Sequence, residues 1–85
     1  MRIEFRRDPL KALRGMQRAK AEDIFAALDR IAAAPFARDN NIKPLRGVPS
    51  GYRARVGDWR VSYMLDRGAE VIEVFEIVPR GGAYR

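Results

Sequence analysis

Three arginines recur between Gly51 and Tyr63 at spacings that put their guanidinium groups on one patch. The stretch Gly-Tyr-Arg-Ala-Arg-Val-Gly-Asp-Trp-Arg-Val-Ser-Tyr reads as two strands joined at Gly57-Asp58, residues that suit a two-residue turn. With that turn, Val56 opposes Trp59, Arg55 opposes Arg60, Ala54 opposes Val61 and Tyr52 opposes Tyr63. Directly opposed residues share a face and successive ones alternate. Val56, Trp59, Ala54, Val61, Tyr52 and Tyr63 then form a core side. Arg53, Arg55 and Arg60 form the other, with Ser62 among them. Like charges facing each other destabilise a sheet. An anionic partner explains the arrangement better than a solvated outer face, which usually mixes signs. Arginine is the side chain that grips phosphate through two parallel hydrogen bonds.

Composition narrows the chemistry further. The 85 residues carry a formal charge of +6, most of it arginine, which favours nucleic acid over an acidic protein or a membrane surface. The chain has no Cys and no His. That removes disulfides, thiol chemistry, a Cys/His zinc site and a Ser-His-Asp arrangement. The acids show no clustering suited to a carboxylate-only site, so neither metal nor cofactor is expected. No apolar run reaches the length of a membrane span, and the first residues alternate instead of forming a signal core, which predicts a cytoplasmic protein.

The elements that must position these residues are legible in outline. Residues 1–85 have room for a single domain with one small core, burying roughly 60–65% of the surface its unfolded form exposes. Arg2 to Arg7 alternates as a short strand near a sheet edge. Asp8-Pro9 reads as a helix start, a capping carboxylate followed by proline at the first helical position. Leu10, Leu13 and Met16 share a face, and Gly15 suggests a break. A second helix spans Ala19 to Ala33, with Ile24, Leu28 and Ile31 as its apolar stripe beside Phe25 and Ala32. Pro35 stops it, and Phe36 to Pro49 reads as a loop. There Leu45 turns inward, while Lys43 and Arg46 either extend the basic patch as RNA-binding residues or are ordinary loop charges. The third strand runs from Trp59 through Leu65 to a turn at Asp66-Arg67-Gly68-Ala69. The last strand, Glu70 to Val78, is apolar on both faces. A two-residue turn would put Glu73 on the arginine face. Pro79 ends that strand, and Tyr84 beyond it either stacks on a base or packs against the sheet.

This order of one strand, two helices and a three-strand meander, with Leu45-Arg46-Gly47, the Gly51–Tyr63 hairpin and Arg80-Gly81-Gly82-Ala83-Tyr84, resembles the RelE/ParE toxin superfamily of type II toxin–antitoxin systems. The likeness spans almost the whole chain and is most specific in its second half. It implies an α+β fold, with an N-terminal strand and an α-helical hairpin packed on a twisted antiparallel β-sheet. In the RelE branch it implies a metal-independent mRNA endoribonuclease (an mRNA interferase) that works in the ribosomal A site and so inhibits translation. The messenger's 2′-hydroxyl attacks the adjacent phosphate there, leaving a cyclic phosphate and a 5′-hydroxyl. The family's catalytic positions fall on Arg53, Arg55, Arg60, Arg80 and Tyr84. Arg60 resembles the residue that holds phosphate and stabilises its growing charge, Arg80 the one that stabilises or protonates the leaving oxygen, and Tyr84 the aromatic that orients the base.

The chain departs from the best-studied RelE pattern at Arg53 and Arg55, where that pattern has lysines. An arginine does not give up its proton, so these two fit orientation and charge compensation, not a general base. ParE-like toxins share the fold and bind DNA gyrase without cutting, and a toxin that has lost activity but still regulates DNA through its antitoxin is a third reading. All three imply a cognate antitoxin whose acidic wrapping segment complements the positive charge. The toxin–antitoxin pair is then expected to bind operator DNA through the antitoxin.

Overall fold

In the computed structural model, which describes residues 1–80, the chain opens on β1 (Arg2–Phe5) and passes directly into α1 (Arg7–Gly15). The helix begins earlier than Asp8-Pro9 suggests. Arg6 is its first flanking residue, Asp8 sits in the first turn, and no side chain caps that end. Pro9 falls within the first turn, where a missing N–H costs nothing because those groups lack acceptors anyway. The first helical bond runs from Leu10 N to Arg6 O at 3.2 Å. Gly15 ends the helix, as expected, and α2 (Arg18–Ala33) follows.

The remaining chain forms β2 (Ile42–Pro44), β3 (Gly51–Val56), β4 (Trp59–Asp66) and β5 (Val71–Pro79), and the sheet order is β1-β5-β4-β3-β2. Two features correct the sequence reading. Ile42–Pro44, read as loop, is a fifth strand pairing antiparallel with β3. Pro44 is tolerated because β2 lies at the edge, where one side of the strand has no ladder to supply. The sheet is also mixed, since β1 runs parallel to β5, with Ile3 opposite Ile72. The two helices between β1 and the meander make that parallel return possible.

Both helices cover one face. Leu13, Ile24, Leu28 and Ile31 pack with Ala54, Val61, Tyr63, Leu65, Ile72, Val74 and Ile77 in one core cluster. The α2 stripe is therefore core, while Phe25 beside it stays exposed and meets Phe5 edge-on at 6.0 Å between centroids. Among the described residues no helix is long and apolar enough to cross a membrane.

Tyr63 is the largest fully buried side chain, 1% exposed, and stacks on Tyr52 at 5.8 Å between centroids. Burial, aided by Tyr52 and Asp39, pushes its phenol up to about 12. The folded state thus keeps a proton that the unfolded chain releases near an ordinary tyrosine value of about 10. Stability should fall as pH rises from about 10 to about 12. Tyr63→Phe, which has no proton to lose, should flatten that part of the profile in thermal melts taken across the alkaline range.

Candidate nucleic-acid interface

The hairpin forms in the expected register. Val56 opposes Trp59, Arg55 opposes Arg60, Ala54 opposes Val61, Arg53 opposes Ser62 and Tyr52 opposes Tyr63. Ala54, Val61 and Tyr63 are buried against the helices, so pleat alternation sends Arg53, Arg55 and Arg60 to the opposite, open face. Only Gly57 takes positive φ at the turn (+58°), as in hairpins that need a left-handed residue at the first central position alone. Gly57→Ala should therefore lower stability by roughly 1 kcal/mol, seen as a melting temperature about 4–8 °C lower.

That turn also anchors the end of the meander. Arg80 N donates to Asp58 O at 2.7 Å, and Arg80 Nη1 donates to Gly57 O at 3.2 Å. Arg80, far from the hairpin in sequence, is thereby held beside it. On the other flank, Asn41 N donates to Asp39 Oδ1 at 2.8 Å, closing a tight turn before β2. Asn41 then takes Arg55 twice: its carbonyl accepts the Arg55 backbone N–H at 2.8 Å, and its Oδ1 accepts Arg55 Nη2 at 3.4 Å.

These contacts build one open cleft of about 390 Å³, lined by Arg53, Arg55, Arg60, Arg80, Lys43, Asn40, Asn41, Pro44 and Leu45. Among the described residues no carboxylate lines it. Arg55 and Arg80 are exposed and Arg53 and Arg60 half-buried, so the cleft has a charged floor reachable from solvent. Such an arrangement concentrates positive potential over low-dielectric walls, which draws in a polyanion. It can also place several cations around one phosphate, the geometry that stabilises charge developing on a phosphoryl group. Arg46 is exposed on the loop past Leu45, outside the cleft lining, and Tyr84 lies outside the described residues.

The acidic residues of β5 share the arginine face but take different partners. A register shift between Ser62 and Tyr63 sets Ser62 opposite Glu76 and Met64 opposite Glu73. Glu73 binds Arg6, with Nε to Oε2 at 3.1 Å, and that pairing holds the Arg6 guanidinium above its ordinary pKa. Glu76, not Glu73, stands by the hairpin arginines. Asn40, Asn41 and Glu76 were not singled out as site residues from sequence. The turn-forming run Asp39-Asn40-Asn41 was the available signal for the first two. Glu76 needed the register.

No family model matches the chain. The RelE1 protein of Methanocaldococcus jannaschii is 26% identical over 84 residues, covering 98% of this chain and 93% of its own length. The crystal structure of an archaeal RelE–RelB complex from Pyrococcus horikoshii contains a chain that superposes with a TM-score of 0.81 at 29% identity, over 96% of this chain and 97% of that one. Over nearly its whole length the chain resembles toxins of the RelE/ParE superfamily. The isolated RelE toxin of E. coli has the same fold, with a TM-score of 0.81 over 98% of this chain and 87% of that one, at 20% identity.

Proposed function

We propose that this chain is the toxin of a type II toxin–antitoxin pair and that it cuts mRNA in the ribosomal A site. The observation that carries the reading is the convergence of Arg53, Arg55, Arg60 and Arg80 on one cleft. In the proposed reaction the 2′-oxygen bonds to the adjacent phosphorus and the bond to the 5′-oxygen breaks. The 2′-hydroxyl proton passes to water, and the 5′-oxygen takes a proton from water to become a hydroxyl. Arg60, half-buried and therefore less screened by water, stabilises the charge on the equatorial oxygens. Arg80, fixed by Gly57 and Asp58, stabilises the leaving oxygen. Arg53 and Arg55 orient the backbone, Lys43 and Arg46 draw the flanking RNA inwards, and Tyr84 stacks on the base at the cut.

The partner is a cognate antitoxin, in keeping with the Pyrococcus horikoshii relative, solved as a RelE–RelB complex. Acidic residues on its wrapping segment would complement the cleft. Because the substrate sits on translating ribosomes, the proposed site of action is the cytoplasm.

The test is induced expression followed by mapping of messenger 5′ ends on translating ribosomes, beside Arg60→Ala. Ribosome-dependent cuts that vanish in the variant support the nuclease. Growth arrest with DNA-damage signalling and intact messenger points to gyrase and overturns it.

A further inference from the structure

We infer that Glu76 is a positioning residue that sets the direction of the Arg53 guanidinium through the buried hydroxyl of Ser62. The inference rests on the nuclease reading only for what Arg53 faces. The contacts themselves stand apart from it.

The three residues form one row across three strands. Arg53 on β3 opposes Ser62 on β4, which opposes Glu76 on β5. Ser62 is fully buried, and its Oγ donates to Glu76 Oε1 at 3.1 Å. With its proton committed to the carboxylate, the same oxygen presents lone pairs to Arg53 Nε, 3.5 Å away. Arg53 Nη2 lies 3.9 Å from the same Glu76 oxygen. The guanidinium is thus addressed at two of its nitrogens, by a hydroxyl and a carboxylate that are themselves joined.

Magnitudes say which link matters. A half-exposed ion pair at this separation contributes little stability by itself. The Ser62–Glu76 bond is the firm one, because a buried hydroxyl without a partner is costly. Glu76 therefore orients Ser62, and Ser62 orients Arg53. Long contacts around a reaction centre commonly tighten when substrate binds. The row also divides labour among the arginines. Arg53 faces a carboxylate that offsets part of its charge, whereas Arg55 is held by the neutral amide of Asn41 and Arg80 by the carbonyl of Gly57. Arg53 is accordingly an orienting group.

A double-mutant cycle tests this on the full chain, with ribosome-dependent cleavage as one readout and the Arg53 Nε–H NMR signal as the other. Glu76→Ala and Ser62→Ala should each lower kcat about tenfold with KM nearly unchanged, while Glu76→Gln, which keeps an acceptor oxygen, should recover most of the loss. In an Arg53→Ala background Glu76→Ala should have no further effect. Equal losses in Glu76→Gln and Glu76→Ala that persist without Arg53 would make Glu76 a proton acceptor and overturn the positioning role. If the wild-type chain makes no ribosome-dependent cuts, the nuclease reading falls, and the NMR arm still decides. The Arg53 Nε–H signal should shift in both Glu76→Ala and Ser62→Ala, and an unmoved signal overturns the inference.

Discussion

Arg60→Ala should lower ribosome-dependent mRNA cleavage by about 10²–10³-fold, the usual scale for removing one preplaced donor from a charge-stabilising site. The size of the effect follows from where the residue lies. Arg60 is half-buried on β4, directly opposite Arg55 and beside Val78 of β5, so its charge acts across a medium less polar than water. Arg60→Lys should recover only part of the activity, because an ammonium keeps the charge but loses the planar fork that takes two phosphate oxygens together. The loss should appear in kcat and kcat/KM alike, as for a contact made chiefly in the transition state. Folding should be unharmed. Arg55 and Arg60 repel across the hairpin, so neutralising one relieves a like-charge pair. Arg14→Ala, exposed on α1 in the helical layer, should leave cleavage unchanged. Primer-extension mapping of cut sites with purified ribosomes and a defined messenger reads all three variants.

Tyr63→Ala should be the most damaging single change to the fold. Its ring is 1% exposed and lies in the cluster that joins both helices to the sheet. Truncating a buried aromatic to alanine costs about 3–5 kcal/mol, through lost apolar burial plus the cavity left behind. A domain of this size is stable by only about 5–10 kcal/mol, so roughly half of that would go. The melting temperature followed by circular dichroism should drop by about 15–30 °C. Tyr63→Phe keeps the ring in place and should lose far less near neutral pH. The contrast separates packing from the hydroxyl. A small effect of Tyr63→Ala would mean that the core closes over the gap left by a ring that is buried and stacked on Tyr52.

Both effects begin in a pattern readable from residue types. Alternation of apolar and basic residues on either side of Gly57-Asp58 determined the β3–β4 register, because a one-residue slip would bury Arg55 and Arg60 and expose Val61 and Tyr63. The α2 stripe of Ile24, Leu28 and Ile31 likewise declared its buried side through helical spacing alone. Where local signals conflicted, expectation failed. Ile42–Pro44 lay within the stretch read as loop, yet at the sheet edge a proline is no bar to pairing. Asp8-Pro9 imitated a cap, yet the helix starts at Arg7, with an extended Arg6 in the capping position.

Amino-acid order by itself thus determined the hairpin, the arginine face, the helical stripe and the absence of thiol and imidazole chemistry. Each depends on neighbours a few residues apart, where strand and helix periods act directly. Only the tertiary structure decided that β1 lies parallel to β5, that Asn41 and Gly57 hold Arg55 and Arg80, and that Glu76 rather than Glu73 serves the arginine row. Those pairings join segments distant in the chain, and one register shift on β5 brings Glu76, in place of Phe75, opposite Ser62. Packing of both helices on one face of the sheet resolves such alternatives, because only one set of pairings buries the core while leaving the arginines on the open face.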